Sequence, residues 1–272
     1  LEDIYLRRQR FLYENFADFG IGQKRPSLQG GQIATVIRCG FDLVPALLGT
    51  ELRLQEAWGF YPVFRQLEDL GDLKPVDIAG HPEGEWLRQQ KERLTSLYGQ
   101  CFQNVDIGSA CNNAFRMIGE ELYSALLDDR EALRALLEVI IQTEASLYRL
   151  LRELFPPMDP VPISNCNVCL MSPAAYEEAI LPYDVRQNRF AEAASGVPPR
   201  AALHHCDAPV DDFLAAYRRL PGLASLQASI DSDIRAAKEA LPGCAFSAMV
   251  GPRWLCEPAD ELRARLRQAL EE

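Results

Sequence analysis

Two short stretches carry the residue types from which metal sites are built: Ser164-Asn165-Cys166-Asn167-Val168-Cys169 and His204-His205-Cys206-Asp207. Thiolates and imidazoles are the usual ligands of Zn²⁺, which takes three protein ligands where it is catalytic and four where it is structural. Cys166 and Cys169 with His204 and Cys206 could supply either count. Side chains alternate along an extended chain, so His204 and Cys206 share one face and His205 takes the other. His204 is therefore the preferred ligand, and His205 is the candidate catalytic acid/base or supporting donor behind it. Cys256 is a weaker candidate to complete the site. Asp231 and Asp233 read equally well as helix caps. His81, beside Pro82, reads as a turn residue. Arg7, Arg8 and Arg10 could clamp carboxylates but sit on an amphipathic terminal pattern, where a solvated face is expected.

The elements around these residues alternate. Amphipathic helical spacing covers 1–19 and 85–98, and the Gly- and Pro-rich stretch between them holds short apolar runs such as Ile33–Ile37. From Cys101 the order becomes strand (101–107), turn, and helices through Leu126 and from Arg130 to Phe155. Four prolines at 156, 157, 160 and 162 stop that helix. A run over 161–169 leads to Ser172-Pro173, an N-cap followed by proline at the first helical position, and a helix to about Ala194. Three strand and helix pairs follow: 201–205 with 209–219, 223–230 with 231–241, and 244–250 with 258–270. Such alternation implies parallel strands joined by helical crossovers, either a doubly wound sheet or a (β/α) barrel. In a barrel the chemistry sits just after the strands, where both ligand stretches fall.

Composition limits the partners. Twenty-eight Lys and Arg against 39 Asp and Glu give a net charge of −11, which disfavours nucleic acid. No apolar stretch approaches the roughly 20 residues that span a bilayer, and the first residues lack a signal-peptide core, so no membrane partner and a cytoplasmic location are expected. The eight cysteines then read as thiols rather than disulfides. No dinucleotide or P-loop glycine pattern occurs.

Several segments, taken in order, resemble the uroporphyrinogen decarboxylase superfamily, which includes cobamide-dependent methyltransferases. They are Phe60-Tyr61-Pro62 with Leu67-Glu68-Asp69-Leu70; Asp106-Ile107-Gly108-Ser109 with Ile118-Gly119-Glu120-Glu121-Leu122-Tyr123; Asp128-Asp129-Arg130-Glu131; and Leu170-Met171-Ser172-Pro173-Ala174-Ala175-Tyr176 with Leu181-Pro182-Tyr183. The resemblance implies an α/β fold, a (β/α)8 TIM-type barrel spanning 101–272, with a helical and loop-rich segment, 1–100, packed on it as one structural domain. The decarboxylase branch carries a carboxylate where this chain has Asn165-Cys166-Asn167-Val168-Cys169. The methyltransferase branch carries a His-x-Cys similar in position to His204-His205-Cys206.

That likeness implies a zinc-dependent methyltransferase moving a methyl group between a corrinoid, free or on a corrinoid partner protein, and a small thiol or related methyl acceptor. His204 and Cys206 would hold the metal. The family's further cysteine lies near the last barrel strand. Either the barrel is incomplete at its C-terminal end, or the third ligand is Cys166 or Cys169, and the second is preferred. The alternatives are a metal-free tetrapyrrole decarboxylase or lyase and a non-catalytic metal-binding partner subunit with a closed four-ligand site.

Overall fold

The computed structural model describes residues 2–17, 34–35, 42–55, 59–99, 101–103, 107–156, 160–195, 198, 200–206, 208–251, 254 and 256–271. After α1 (Glu2–Phe16) and the short β1 (Ala34–Thr35) come α2 (Leu43–Leu47) and an antiparallel hairpin of β2 (Leu52–Gln55) and β3 (Gly59–Pro62). This hairpin lies in the stretch that the sequence presents as loop. Gly59 and Pro62, both poor strand formers, mask its alternation. α3 (Pro82–Tyr98) starts where its sequence directs. His81 is the N-cap, its Nδ1 accepting from the Glu83 amide, and Pro82 takes the position whose missing N–H costs nothing. β4 (Phe102–Gln103) pairs in parallel with β1.

Three consecutive helices then form the wall of the core: α4 (Ala110–Ile118), α5 (Glu121–Asp128) and α6 (Arg130–Leu154). α6 buries a stripe at helical spacing, Leu133, Leu136, Leu137, Ile140, Ile141, Leu147, Leu150 and Leu151. Burial of each such side chain is worth about 1.5–3 kcal/mol, enough to hold the long helix against its neighbours.

β5 (Val161–Ser164) begins the main sheet. The chain then passes a 3-10 turn, Val168–Leu170, and a short α7 (Pro173–Ala175) whose N-cap, the Ser172 hydroxyl, accepts from the Ala175 amide. A π-helical segment, Tyr176–Ile180, leads into α8 (Leu181–Ser195). The remaining units are β6 (Ala201–His204), a 3-10 turn with α9 (Leu214–Tyr217), β7 (Leu223–Ser229), α10 (Ile234–Ala240), β8 (Ala245–Met249) and α11 (Ala259–Glu271). The strand and helix rhythm read from the sequence is present here with ends shifted by a few residues.

β5, β6, β7 and β8 lie side by side in that order, all parallel. One irregularity interrupts the pairing. Ala201 faces Leu223 but Ala202 faces Ser225, so β7 carries one extra residue there. The architecture is mixed α/β and compatible with a TIM-type fold. The described strands form separate four-stranded and two-stranded parallel sheets and the hairpin, not a closed eight-stranded barrel.

Two polar contacts are buried among these apolar layers. Asp42, 2% exposed, takes the Arg116 guanidinium through both carboxylate oxygens and ties the start of α2 to α4. Glu144 lies within the α6 stripe, wholly buried, and accepts from Asn113 Nδ2 at 2.7 Å. Burial raises its carboxyl to about 8; the Asn113 bond opposes that rise and the nearby Asp184 adds to it.

The folded protein thus holds the Glu144 proton well above the pH at which the unfolded chain releases it. Its contribution to stability is full below about pH 4.5 and is lost as pH rises through about 8. Glu144→Gln keeps the acceptor for Asn113, so thermal unfolding should show it more stable than the parent at about pH 9 and indistinguishable at about pH 4.5. Arg116→Leu strands a buried carboxylate and should cost about 3–5 kcal/mol in denaturant unfolding. Arg130→Leu, which breaks the exposed pair with Glu178, should cost about 0–1 kcal/mol.

Candidate metal centre

The sheet register places the site. Ser164 pairs with His204 and His204 with Gln227, so these three residues form a row across the C-terminal ends of β5, β6 and β7. The ladder continues one residue further, with the Asn165 amide donating to the His204 carbonyl and the His205 amide to the Gln227 carbonyl, each at 2.8 Å. Cys166 and Cys206 therefore leave the sheet beside one another, each two residues beyond its strand.

One ligand atom from each of Cys166, His204 and Cys206 lies within 4.8 Å of the other two. Burial raises the Cys166 thiol, but hydrogen bonds with His204, Asn112 and Cys206 outweigh it, and the thiol sits below its ordinary value. Asn112 also accepts from the Asn167 backbone and side-chain amides at 3.2 Å, so one side chain of α4 holds both the ligand and the turn that carries it. His204 Nδ1 lies 2.6 Å from Gln227 Oε1. A cavity of about 540 Å³ opens beside the cluster, lined by Cys166, His204, Asn112, Asn113, Arg116 and Gln227 among others.

The donor set fits zinc. Two sulfurs and an imidazole match its preferred ligands, and tetrahedral bonds of about 2.0–2.3 Å call for donor separations of about 3.5–3.8 Å, within small side-chain adjustments of the arrangement seen. Among the described residues no fourth Cys, His, Asp or Glu joins the group. The count is that of a site with one position left for water or substrate.

The other candidates lie elsewhere. Cys169, in the 3-10 turn after β5, donates its thiol to the Cys166 carbonyl at 3.3 Å and does not join the cluster. His205 is fully buried on the opposite face, its Nδ1 against the Tyr217 hydroxyl and its ring packed on Phe213 and Tyr217. Its side chain does not reach the cavity. Cys256 is exposed. Asp233 caps α10, and Asp231 accepts from the Trp254 indole at 3.2 Å. Arg7 and Arg10 are exposed on α1, whereas the side chain of Arg8 lies outside the described residues, as does Asp207.

Three contributors carried no motif. Gln227 and Asn112 are ordinary polar residues until strand pairing and helix packing bring them to the cluster. Asp184 is buried in α8, where Asn165 Nδ2 and the Tyr176 hydroxyl donate to its Oδ2 at 2.6 and 2.7 Å. Burial raises its carboxyl to about 6, with both bonds opposing. This pair anchors the residue immediately before Cys166.

Burial lowers His205 to about 4, aided by the neighbouring His204. As pH falls below about 6.5 the unfolded chain takes up a proton that the folded chain refuses until about 4, so stability falls across that window. His205→Phe, which keeps an aromatic ring beside Phe213, should flatten the change in denaturation midpoint between about pH 7 and pH 5.

No helix among the described residues is long and apolar enough to cross a membrane. No family model matches the chain, and no curated protein matches it by sequence. Solved structures do match. One is a methyltransferase from Methanosarcina mazei, with a TM-score of 0.61 and 16% identity, covering 90% of this chain and 72% of that one. At this identity the likeness is one of fold, and the chain shares its fold with a methanogen methyltransferase.

Proposed function

We propose that this chain is a zinc-dependent methyltransferase that moves a methyl group between a corrinoid and a thiol or related acceptor. The observation that carries the reading is the three-donor cluster of Cys166, His204 and Cys206 at the strand ends, beside a cavity. The fold shared with a methyltransferase and the His204-His205-Cys206 stretch, similar in position to the His-x-Cys of the cobamide-dependent branch, point the same way.

Zinc bound there would lower the pKa of a thiol taking the remaining position, making a nucleophilic thiolate available at neutral pH. The chain's own residues do the rest. Cys166 and Cys206 offset the metal's charge, and Asn112 holds Cys166 in place through its sulfur and the following turn. The cavity wall sets four amide side chains, Asn112, Asn113, Asn167 and Gln227, among apolar surface that includes Phe115. Its one described cation, Arg116, is paired with Asp42. A wall whose single described cation is already paired suits a small thiol better than the many carboxylates of a tetrapyrrole. About 540 Å³ is the size of a small-molecule pocket, so the corrinoid would be presented from outside, on a partner protein.

Elemental analysis of anaerobically purified protein tests the reading. About one zinc per chain is expected, lost in Cys166→Ser, His204→Ala and Cys206→Ser and kept in Cys169→Ser. Loss in Cys169→Ser as well, with a large fall in thermal stability on chelation, would favour a closed structural site in a partner subunit. Absence of metal from every preparation would sink the methyl-transfer reading and turn attention to a metal-free lyase.

A further inference from the structure

We propose that Gln227 is the positioning residue that fixes which nitrogen of His204 faces the metal, and that it does so as a neutral partner. The inference rests on the zinc reading above, because it concerns the same cluster. A metal-binding imidazole uses one nitrogen for the metal and secures the other by a hydrogen bond, usually to a carboxylate, a backbone carbonyl or water. Here the second nitrogen, Nδ1, lies 2.6 Å from the side-chain oxygen of an amide.

The geometry of the sheet makes this contact hard to avoid. His204 and Gln227 are register partners on adjacent parallel strands, so their side chains leave the sheet on the same face. Ladder bonds on either side, from Asn165 to the His204 carbonyl and from His205 to the Gln227 carbonyl, hold both backbones. An amide oxygen can only accept, so Nδ1 must carry the proton, and Nε2 keeps the lone pair that a metal needs. With the amide reversed, its N–H would face Nδ1 and the proton would move to Nε2, where it would block ligation.

The neutrality of the partner also has a purpose. Two thiolates already cancel the charge of a divalent ion. A carboxylate behind His204 would add a further negative charge next to the position that an incoming thiolate must take, whereas an amide orients the ring without that repulsion. Gln227 also lines the cavity, so it borders the space in which the acceptor would sit.

The test uses the full chain loaded with zinc, with ¹⁵N-labelled histidine and a chromophoric chelator as competitor for the metal. The chain has three histidines, so the His204 ring signals are readily assigned with the His204→Ala variant. The expected result is a proton on Nδ1 and metal on Nε2 in the parent. Gln227→Leu should weaken zinc binding about 10–100-fold, and Gln227→Glu, which retains an acceptor, should restore it to the parent level or tighter. Thermal unfolding of the zinc-free variants should match the parent, since Gln227 is exposed at the sheet end. Unchanged zinc affinity in Gln227→Leu, or metal on Nδ1, overturns this inference and leaves the zinc reading standing. Failure of the parent to bind zinc overturns the zinc reading itself, and the inference with it.

Discussion

Main-chain hydrogen bonding between β5, β6 and β7 sets the distances in the candidate metal centre. None of the three donors lies close to the others in more than pairs along the chain, and Cys166 is separated from His204 by a helix of fifteen residues, Leu181–Ser195, and its flanking turns. What brings them together is a parallel register that aligns Ser164, His204 and Gln227 and carries on to Asn165 and His205. The ladder fixes the backbone of His204 directly and, two residues on, brings Cys166 and Cys206 side by side, so the arrangement that would receive an ion is part of the fold itself.

The helical layer supports this row from beneath. Asn112 reaches from α4 to the turn after β5, while Asp184 reaches from α8 to Asn165. Cys166 is thus held on both sides by polar contacts anchored in helices that the apolar stripe of α6 fastens together. Buried carboxyls such as Asp184 and Glu144 are costly in an apolar interior, and both have their ionised forms disfavoured by burial. Asp184 spends that cost at the base of the ligand turn, where rigidity matters most.

Much of the site could be read from residue types alone. The alternation rule separated His204 and Cys206 from His205, and the structure places His205 on the far face among Phe213 and Tyr217. The choice between Cys166 and Cys169 could not be read, because it depends on a 3-10 turn that carries Cys169 back against the Cys166 carbonyl. Gln227 and Asn112 left no trace in sequence, since their roles arise across strands and between layers. Glu144 did leave one, a carboxylate spaced three or four residues from apolar neighbours on both sides of the same helical stripe. The strand and helix rhythm of the C-terminal half followed from periodicity. The β2–β3 hairpin did not, because two short strands containing glycine and proline look like loop.

The extra residue in β7 opposite Ala201 and Ala202 interrupts only the β6–β7 ladder, while β5 and β6 pair without a break. Below it β6 and β7 pair only at Ala201 and Leu223, and above it in a shifted alignment, the one that sets His204 opposite Gln227. With an unshifted register from Ala201 and Leu223, the residue opposite His204 would be the buried Leu226, and Gln227 would fall one position further on. The spacing of Cys166 from His204 therefore depends on one uninterrupted ladder, β5 with β6, whereas Gln227 meets His204 only because the extra residue has moved the β6–β7 register by one position.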